Sequence, residues 1–134
     1  MTVMPKTVYP TIPKRIPHTI GFSRYCLKFD RSLSQYVSLG DVLDMDTLDF
    51  SIAAWFKTTA TGIGLRIISK RISGPTEVGY RLIQLSDDRL SAEINDGTAT
   101  RGPTSPAGVT FNDGKWHYAV ATFDRDEYGI LYVD

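Results

Sequence analysis

Cysteine and histidine are scarce in this sequence, which has one cysteine, Cys26, and two histidines, His18 and His117, among 134 residues. A single cysteine excludes an intrachain disulfide, and these three side chains do not form the ligand pattern of a zinc site. Because a free cysteine behaves as a small hydrophobe, Cys26 is predicted to be a small buried residue within a strand. Strand alternation predicts that His117 lies on the outer face of its strand, between core-facing Trp116 and Tyr118. Neither histidine is therefore expected to act as the base of a hydrolase.

The net charge is zero, and long apolar runs are absent from the sequence. Fifteen basic residues balance fifteen acidic ones, so no overall field attracts nucleic acid or an anionic membrane, and we expect neither as a partner. No segment approaches the roughly 20 apolar residues of a membrane-spanning helix, so membrane insertion is not expected. The first residues lack the basic start and apolar stretch of a secretory signal. This favours either action without that export route or a leader outside these residues.

Proline and basic charge are concentrated at the N-terminus. Residues 1–24 hold four of the seven prolines and carry +4 without an acid, whereas the remaining eleven basic and fifteen acidic residues give −4. Because proline restricts its own backbone and its predecessor's, the sequence predicts an extended arm over residues 1–24, followed by one domain over residues 25–134. A solvated tail is the simpler alternative. As an assembly arm it would contact other chains through Tyr9, Ile12, Ile16 and Ile20.

From residue 25 onward, apolar residues recur with a period of two. The clearest case is residues 48–56, where every second residue is apolar, as in an antiparallel sheet with one face on a core. The dipeptides Asp96-Gly97 and Asp113-Gly114 favour tight hairpins. An all-β antiparallel β-sandwich or jelly roll follows. The other predicted strands are residues 25–29, 35–39, 65–70, 80–85, 90–95, 98–101, 116–123 and 128–133.

Four fragments carry a more specific signal when taken in order. They are LKFD with QYVSL (27–39), LDFSIAAWFK (48–57), GKWHYAVATFD (114–124) and LYVD (131–134). Together they resemble the laminin-G-like, concanavalin A-like lectin/glucanase superfamily over residues 25–134. The resemblance implies a sandwich of that type, with further strands after LYVD.

The missing closing strands predict an incomplete sheet. Residues 116–123 and 128–133 would have an unmatched neighbour, and such an edge can recruit another strand. Three explanations are open: a fragment of a longer product, a shortened sandwich that tolerates its edges, or a partner strand that completes the sheet. The partner could be the arm of a neighbouring copy.

Catalysis is not expected, although the superfamily that this sequence resembles includes glucanases. Retaining hydrolysis needs two carboxylates roughly 5 Å apart, and the Glu-x-Asp-x-x-Glu pattern of those enzymes is absent. Glu93 is the lone carboxylate on its strand. Calcium is the more credible ion, since it takes oxygen ligands from loops, and relatives of this fold often bind one at a sheet rim. Solvated acidic loops are the simpler interpretation. The candidate calcium ligands are Asp113, Asp124 and Asp126.

Carbohydrate binding needs an exposed aromatic platform with polar partners nearby. Alternation places Trp55 opposite the apolar stripe of its strand, where it either packs or faces a ligand. The candidate platform residues are Trp55, Tyr36, Tyr80 and Tyr128. The sequence thus predicts a non-enzymatic module that binds glycan or protein, at the cell surface or on a virion. The alternative is an assembly or decoration subunit of a phage, a virus-like particle or a filament, in which the arm and the open edge join chains.

Overall fold

The computed structural model describes residues 25–62, 64–71, 77–127 and 129–134. The predictions for the assembly arm (Tyr9, Ile12, Ile16 and Ile20) and for Tyr128 lie outside these residues and stay predictions. The chain divides into two compact units, Met1–Val42 and Leu43–Asp134. All strands found in the described residues belong to the second unit.

In the first unit, residues 25–42 contain a short 3-10 helix, Arg31–Leu33, and no strand. The strands predicted at residues 25–29 and 35–39 are therefore wrong. Local bonds explain the difference: the Asp30 carboxylate accepts hydrogen bonds from the Ser32 amide at 2.9 Å and hydroxyl at 2.6 Å, and Gln35 Oε1 accepts from the Asp30 amide at 2.8 Å. Such side-chain bonds compete with strand pairing. Cys26 is half-buried and lies outside any strand.

Seven strands in the second unit form two antiparallel sheets, which confirms the predicted all-β sandwich. The three-stranded sheet has the order β1-β6-β7, with β1 at Phe50–Phe56, β6 at His117–Phe123 and β7 at Gly129–Val133. The four-stranded sheet follows chain order, with β2 at Leu65–Arg71, β3 at Val78–Gln84, β4 at Leu90–Asp96 and β5 at Thr100–Arg101.

The core lies between the inner faces of these two sheets. Phe50 of β1 and Tyr80 of β3 meet there with ring centroids 4.9 Å apart. Leu82 and Leu90 are fully buried, so their apolar surface is removed from water on folding. The remaining buried members of the core are Ile52, Phe56, Ala92, Phe111, Ala119, Ala121 and Phe123.

The face of β6 that meets the core is the opposite of the one predicted from the sequence. His117 pairs with core-facing Phe56 and is only 8% exposed, whereas Tyr118 points outward. The outer-face prediction for His117 is therefore wrong. It assumed that the bulky aromatic residues of this segment face the core. In the structure the small Ala119 and Ala121 do so, because the facing sheet already fills that space with large side chains.

Candidate functional site

The outward face of the three-stranded sheet carries a row of exposed rings. Trp55 of β1 is 47% exposed and stacks on its cross-strand partner Tyr118 of β6, with centroids 4.9 Å apart and planes 29° apart. Tyr132 of β7 is 56% exposed on the same face, because it pairs with Val120, two residues along β6 from Tyr118. We call this set the aromatic surface: Trp55, Tyr118, Val120, Ile130 and Tyr132.

Alternation explains why these side chains share one face. In antiparallel strands, directly paired residues point to the same side, and residues two apart do so as well. Trp55 and Tyr132 stand on strands separated by β6, so two strand spacings of about 4.8 Å place them ~10 Å apart across the sheet. Contiguous exposed apolar patches often mark binding sites, whereas single exposed apolar residues are common on any protein surface.

Directly behind the aromatic surface lies a buried histidine held by two carboxylates. His117 Nδ1 is 2.7 Å from Asp134 Oδ2, and Nε2 is 3.0 Å from Asp113 Oδ1. The ring also contacts Phe56 and, edge-on, Phe111. Because each ring nitrogen faces a carboxylate oxygen, only the doubly protonated imidazolium can donate to both.

The pKa values of this cluster follow from those contacts. Burial alone lowers the pKa of His117, but the hydrogen bonds and charges of Asp134 and Asp113 outweigh it, so the pKa is raised above 6.5. The Lys115 amide and side chain, together with His117, hold the pKa of Asp113 well below its usual range. The hydrogen bond with His117 likewise lowers the pKa of Asp134.

Asp134 also ties the histidine to the backbone of the aromatic surface. Its Oδ1 accepts a hydrogen bond from the Tyr118 amide at 2.9 Å, and its own amide donates to the Tyr118 carbonyl at 3.0 Å. On the other side, the Gly114 amide donates to the Thr58 carbonyl at 3.0 Å, which fastens the Asp113 loop to the segment after β1. The cluster therefore anchors the backbone of Tyr118 on one side and the segment after β1 on the other.

The outward face of the four-stranded sheet is polar instead. Glu93 Oε2 accepts hydrogen bonds from Arg81 Nε at 2.7 Å, Arg81 Nη2 at 2.6 Å and Arg71 Nη1 at 3.3 Å. Arg71 Nη2 also contacts Glu77 at 2.5 Å and Thr100 Oγ1 at 3.1 Å. Arg71 is 6% exposed, and across the described part of the chain its Nε has no hydrogen-bond acceptor. Two guanidinium groups and two carboxylates balance in charge, as in a network that stabilises the sheet.

A family model described as the concanavalin A-like lectin/glucanases superfamily (Laminin_G_3) matches residues 30–134. The chain belongs to this family. No curated protein and no solved structure matched it. The match confirms the resemblance inferred from the four fragments.

In this concanavalin A-like chain, the predicted calcium ligands do not come together. Asp113 precedes β6 and Asp124 and Asp126 follow it, so a strand of about 20 Å separates them. The Asp124 carboxylate accepts hydrogen bonds from the Asp126 amide at 2.9 Å and the Glu127 amide at 3.1 Å, which closes a turn. Within the described ranges, no three histidine, cysteine or acidic side chains are grouped to hold a metal. The prediction of a shared site is therefore wrong.

The candidate sugar-binding aromatics have different outcomes. Tyr80 is 5% exposed and its hydroxyl donates to the Leu43 carbonyl at 3.0 Å, so it is a core residue and not a platform. Burial raises its pKa. Tyr36 is exposed but belongs to the first unit, so its role stays a prediction. Trp55 lies on the outward face that alternation indicated.

Sequence reasoning missed Tyr118 and Tyr132. The aromatic character of Tyr118 predicts that it faces the core, and the sequence distinguishes Tyr132 only as part of a family fragment. The alternation of Ala119 and Ala121 with Tyr118 and Val120 could have identified the outward face, since two small residues next to Phe123 fit a tightly packed sheet interior.

Proposed function

We propose that this concanavalin A-like domain is a non-enzymatic recognition module that binds oligosaccharides on the aromatic surface. The observation that carries the proposal is the exposed Trp55–Tyr118 stack beside Tyr132 on one sheet face. Sugar rings present apolar C–H faces that pack against aromatic rings, and their hydroxyls need polar partners at the edge of the contact.

Polar partners are available around the rings. The hydroxyls of Tyr118 and Tyr132 belong to this surface, and alternation places Thr122 on the same side of β6. Lys57, the residue after β1, is exposed. Trp55 and Tyr132 are separated by two strand spacings and by an offset of two residues along the strands, about 12 Å in all, which suits an extended oligosaccharide better than a single sugar. A β-linked glucan hexasaccharide is long enough to span this distance and is the first probe.

The domain is proposed to bind oligosaccharides without hydrolysing them. Glycoside hydrolysis needs an acid and a nucleophile or base with oxygens open to substrate. Asp113 and Asp134, the carboxylates behind the Trp55–Tyr118 pair, are both engaged by His117. Incubation of the hexasaccharide with the protein is expected to release no new reducing ends, and their release would overturn this part of the proposal.

Calorimetric titration with the hexasaccharide, preceded by a glycan array to widen the choice, tests the binding itself. Trp55→Ala is expected to weaken binding about five- to thirtyfold, because an aromatic stacking contact together with the apolar area that it buries is worth about 1–2 kcal/mol. Tyr25→Ala is the matched control, since Tyr25 is an exposed aromatic residue of the other unit. A silent array, or equal affinity of Trp55→Ala and the parent protein, would overturn the proposal.

A second candidate function is assembly with other chains through β7. Among the described residues β7 pairs only with β6, so its other edge presents ladder groups beside the exposed Ile130 and Tyr132. This supports a subunit of an extracellular or virion structure. Light scattering over a concentration series tests it: association that Ile130→Lys abolishes is expected, and a monomer at every concentration rejects it.

A further inference from the structure

His117 is the neighbour of Tyr118 along β6, and its cross-strand partner Phe56 is the neighbour of Trp55 along β1. It follows the pairing Trp55↔Tyr118 directly, because the next pair along these strands is Phe56↔His117. One pair faces outward and the other inward, as strand alternation requires. The imidazole is therefore separated from the ring stack by a single step of the backbone.

Deprotonation of this histidine changes the contacts that it can make. The imidazolium donates to Asp134 and Asp113 at once, whereas the neutral ring donates one hydrogen bond and turns a lone pair toward the other carboxylate. A lone pair facing a carboxylate oxygen at about 3 Å is repulsive, so we expect that carboxylate to move away from the ring toward the solvent, to which the Asp113 and Asp134 side chains are 39% and 51% exposed. Either withdrawal loosens an anchor of the Trp55–Tyr118 pair.

We propose that the protonation state of His117 sets the geometry of the aromatic surface, and that ligand binding there weakens when the imidazole loses its second proton. The binding half of this inference rests on the proposed function, whereas the geometric half does not. The protonated form is the ordered one, so affinity is highest at mildly acidic pH and falls as the pH rises through the raised pKa of His117.

The charged groups around the imidazole favour this direction. Asp113 comes from the loop before β6, and its carboxylate also binds Lys115 Nζ at 3.0 Å. Asp134 follows β7. From β1 the ring meets Phe56 and from the segment before β6 it meets Phe111, neither of which titrates. In the described ranges, the hydrogen-bonded partners of the ring are thus two anions, with one lysine behind the first.

The geometric half is tested by the fluorescence of Trp55. A Trp116→Phe background leaves Trp55 as the one tryptophan, and acrylamide quenching is followed from about pH 5 to pH 9. We expect one transition with a midpoint above 6.5, the ordinary pKa of histidine. His117→Gln should abolish it, and His18→Gln, which alters the other histidine of the chain, should leave it intact. Asp113→Asn should move the midpoint to lower pH.

Calorimetry with the β-linked glucan hexasaccharide, in the parent protein and the same variants, tests the binding half. The affinity is expected to fall about tenfold across the transition, the effect of losing one charged hydrogen bond. A transition that persists in His117→Gln, or that follows His18→Gln, overturns the proposal. If His117→Gln does not fold, an unchanged midpoint in Asp113→Asn overturns it equally.

The two proposals fail in different ways. A fluorescence transition with constant hexasaccharide affinity overturns the regulation of binding and leaves recognition standing. A fluorescence transition in a protein that binds no glycan at any pH overturns the proposed function and supports the geometric coupling. No transition in the parent protein overturns the coupling, whatever the hexasaccharide does.

Discussion

Neighbouring residues of one strand have opposite roles in this domain. Trp55 presents its ring on the aromatic surface, while Phe56 is buried against the core and His117. The backbone imposes this division, because successive side chains of a strand point to opposite faces. Substitutions at adjacent positions should therefore separate binding from stability.

Leu82 tests the contribution of the core, because it is fully buried between the sheets. Leu82→Ala is expected to lower the free energy of unfolding by about 2–5 kcal/mol, through lost burial and the cavity left behind. Val78→Ala, at an exposed position of the same strand, should change it by less than about 0.5 kcal/mol. Urea unfolding at constant m-value measures both, and equal losses would contradict the packing described above.

At position 79, only glycine fits without backbone strain. Its φ is +124°, and an added Cβ would overlap the Lys70 carbonyl of the paired strand. Gly79→Ala is expected to cost more than about 3 kcal/mol of stability. Gly108 has a φ of +81° with open space around it, so Gly108→Ala should cost about 1 kcal/mol. Thermal unfolding of the two variants compares them, and a smaller loss in Gly79→Ala would contradict the close approach of β2 and β3.

At the scale of elements, the two sheets use their outward faces differently. The three-stranded sheet shows aromatic rings, whereas the four-stranded sheet shows an ion-pair network that joins β2, β3 and β4 through Glu93. The network crosses three strands that are consecutive along the chain, so it reinforces their register. The aromatic surface joins β1 to strands that lie far along the sequence.

Glu93 is the shared carboxylate of that network, and its loss leaves two guanidinium groups in a mostly buried place. Glu93→Gln is expected to lower the free energy of unfolding by about 3 kcal/mol, with little dependence on salt. The control is Asp87→Asn, because the Asp87–Arg89 pair is more exposed and should contribute much less to stability, with that small contribution screened by salt. Urea unfolding at low and high salt measures both. Equal losses would show that the network adds no more than a surface pair.

At the scale of the whole molecule, the His117 cluster makes stability depend on pH. Its raised pKa means that the contribution of His117 is fully present below 6.5 and is lost as the pH rises through the folded value. The lowered pKa values of Asp113 and Asp134 act in reverse: their contribution is present above 3.8 and is lost as the pH falls through the folded values. The stabilisation by the cluster is therefore greatest between these limits.

Unfolding free energies measured by urea over a pH series check this dependence. We expect stability to decline on the alkaline side in the parent protein and in His18→Gln, and this decline to be absent in His117→Gln. An alkaline decline of the same size in His117→Gln would assign the effect to other groups.

Local pattern accounts for much of this fold. The period-two alternation after residue 48 predicted all seven strands of the second unit, and the outward position of Trp55, because which residues share a face depends only on backbone geometry. The ordered fragments were enough to indicate the superfamily. Residues 25–39 show where pattern fails, since Asp30 and Gln35 form local bonds there that compete with strand pairing.

The tertiary structure alone decided which face of β6 is buried and what gathers behind it. Alternation defines two faces, but the opposite sheet determines which of them meets the core, and here it selected Ala119 and Ala121 over Tyr118. It also brought Asp134 and Asp113 to His117 from the two ends of a hairpin. The scarcity of histidine and cysteine argues against a zinc site, and this follows from composition alone. That one histidine is buried between two carboxylates depends on contacts between distant segments, which no local sequence pattern encodes.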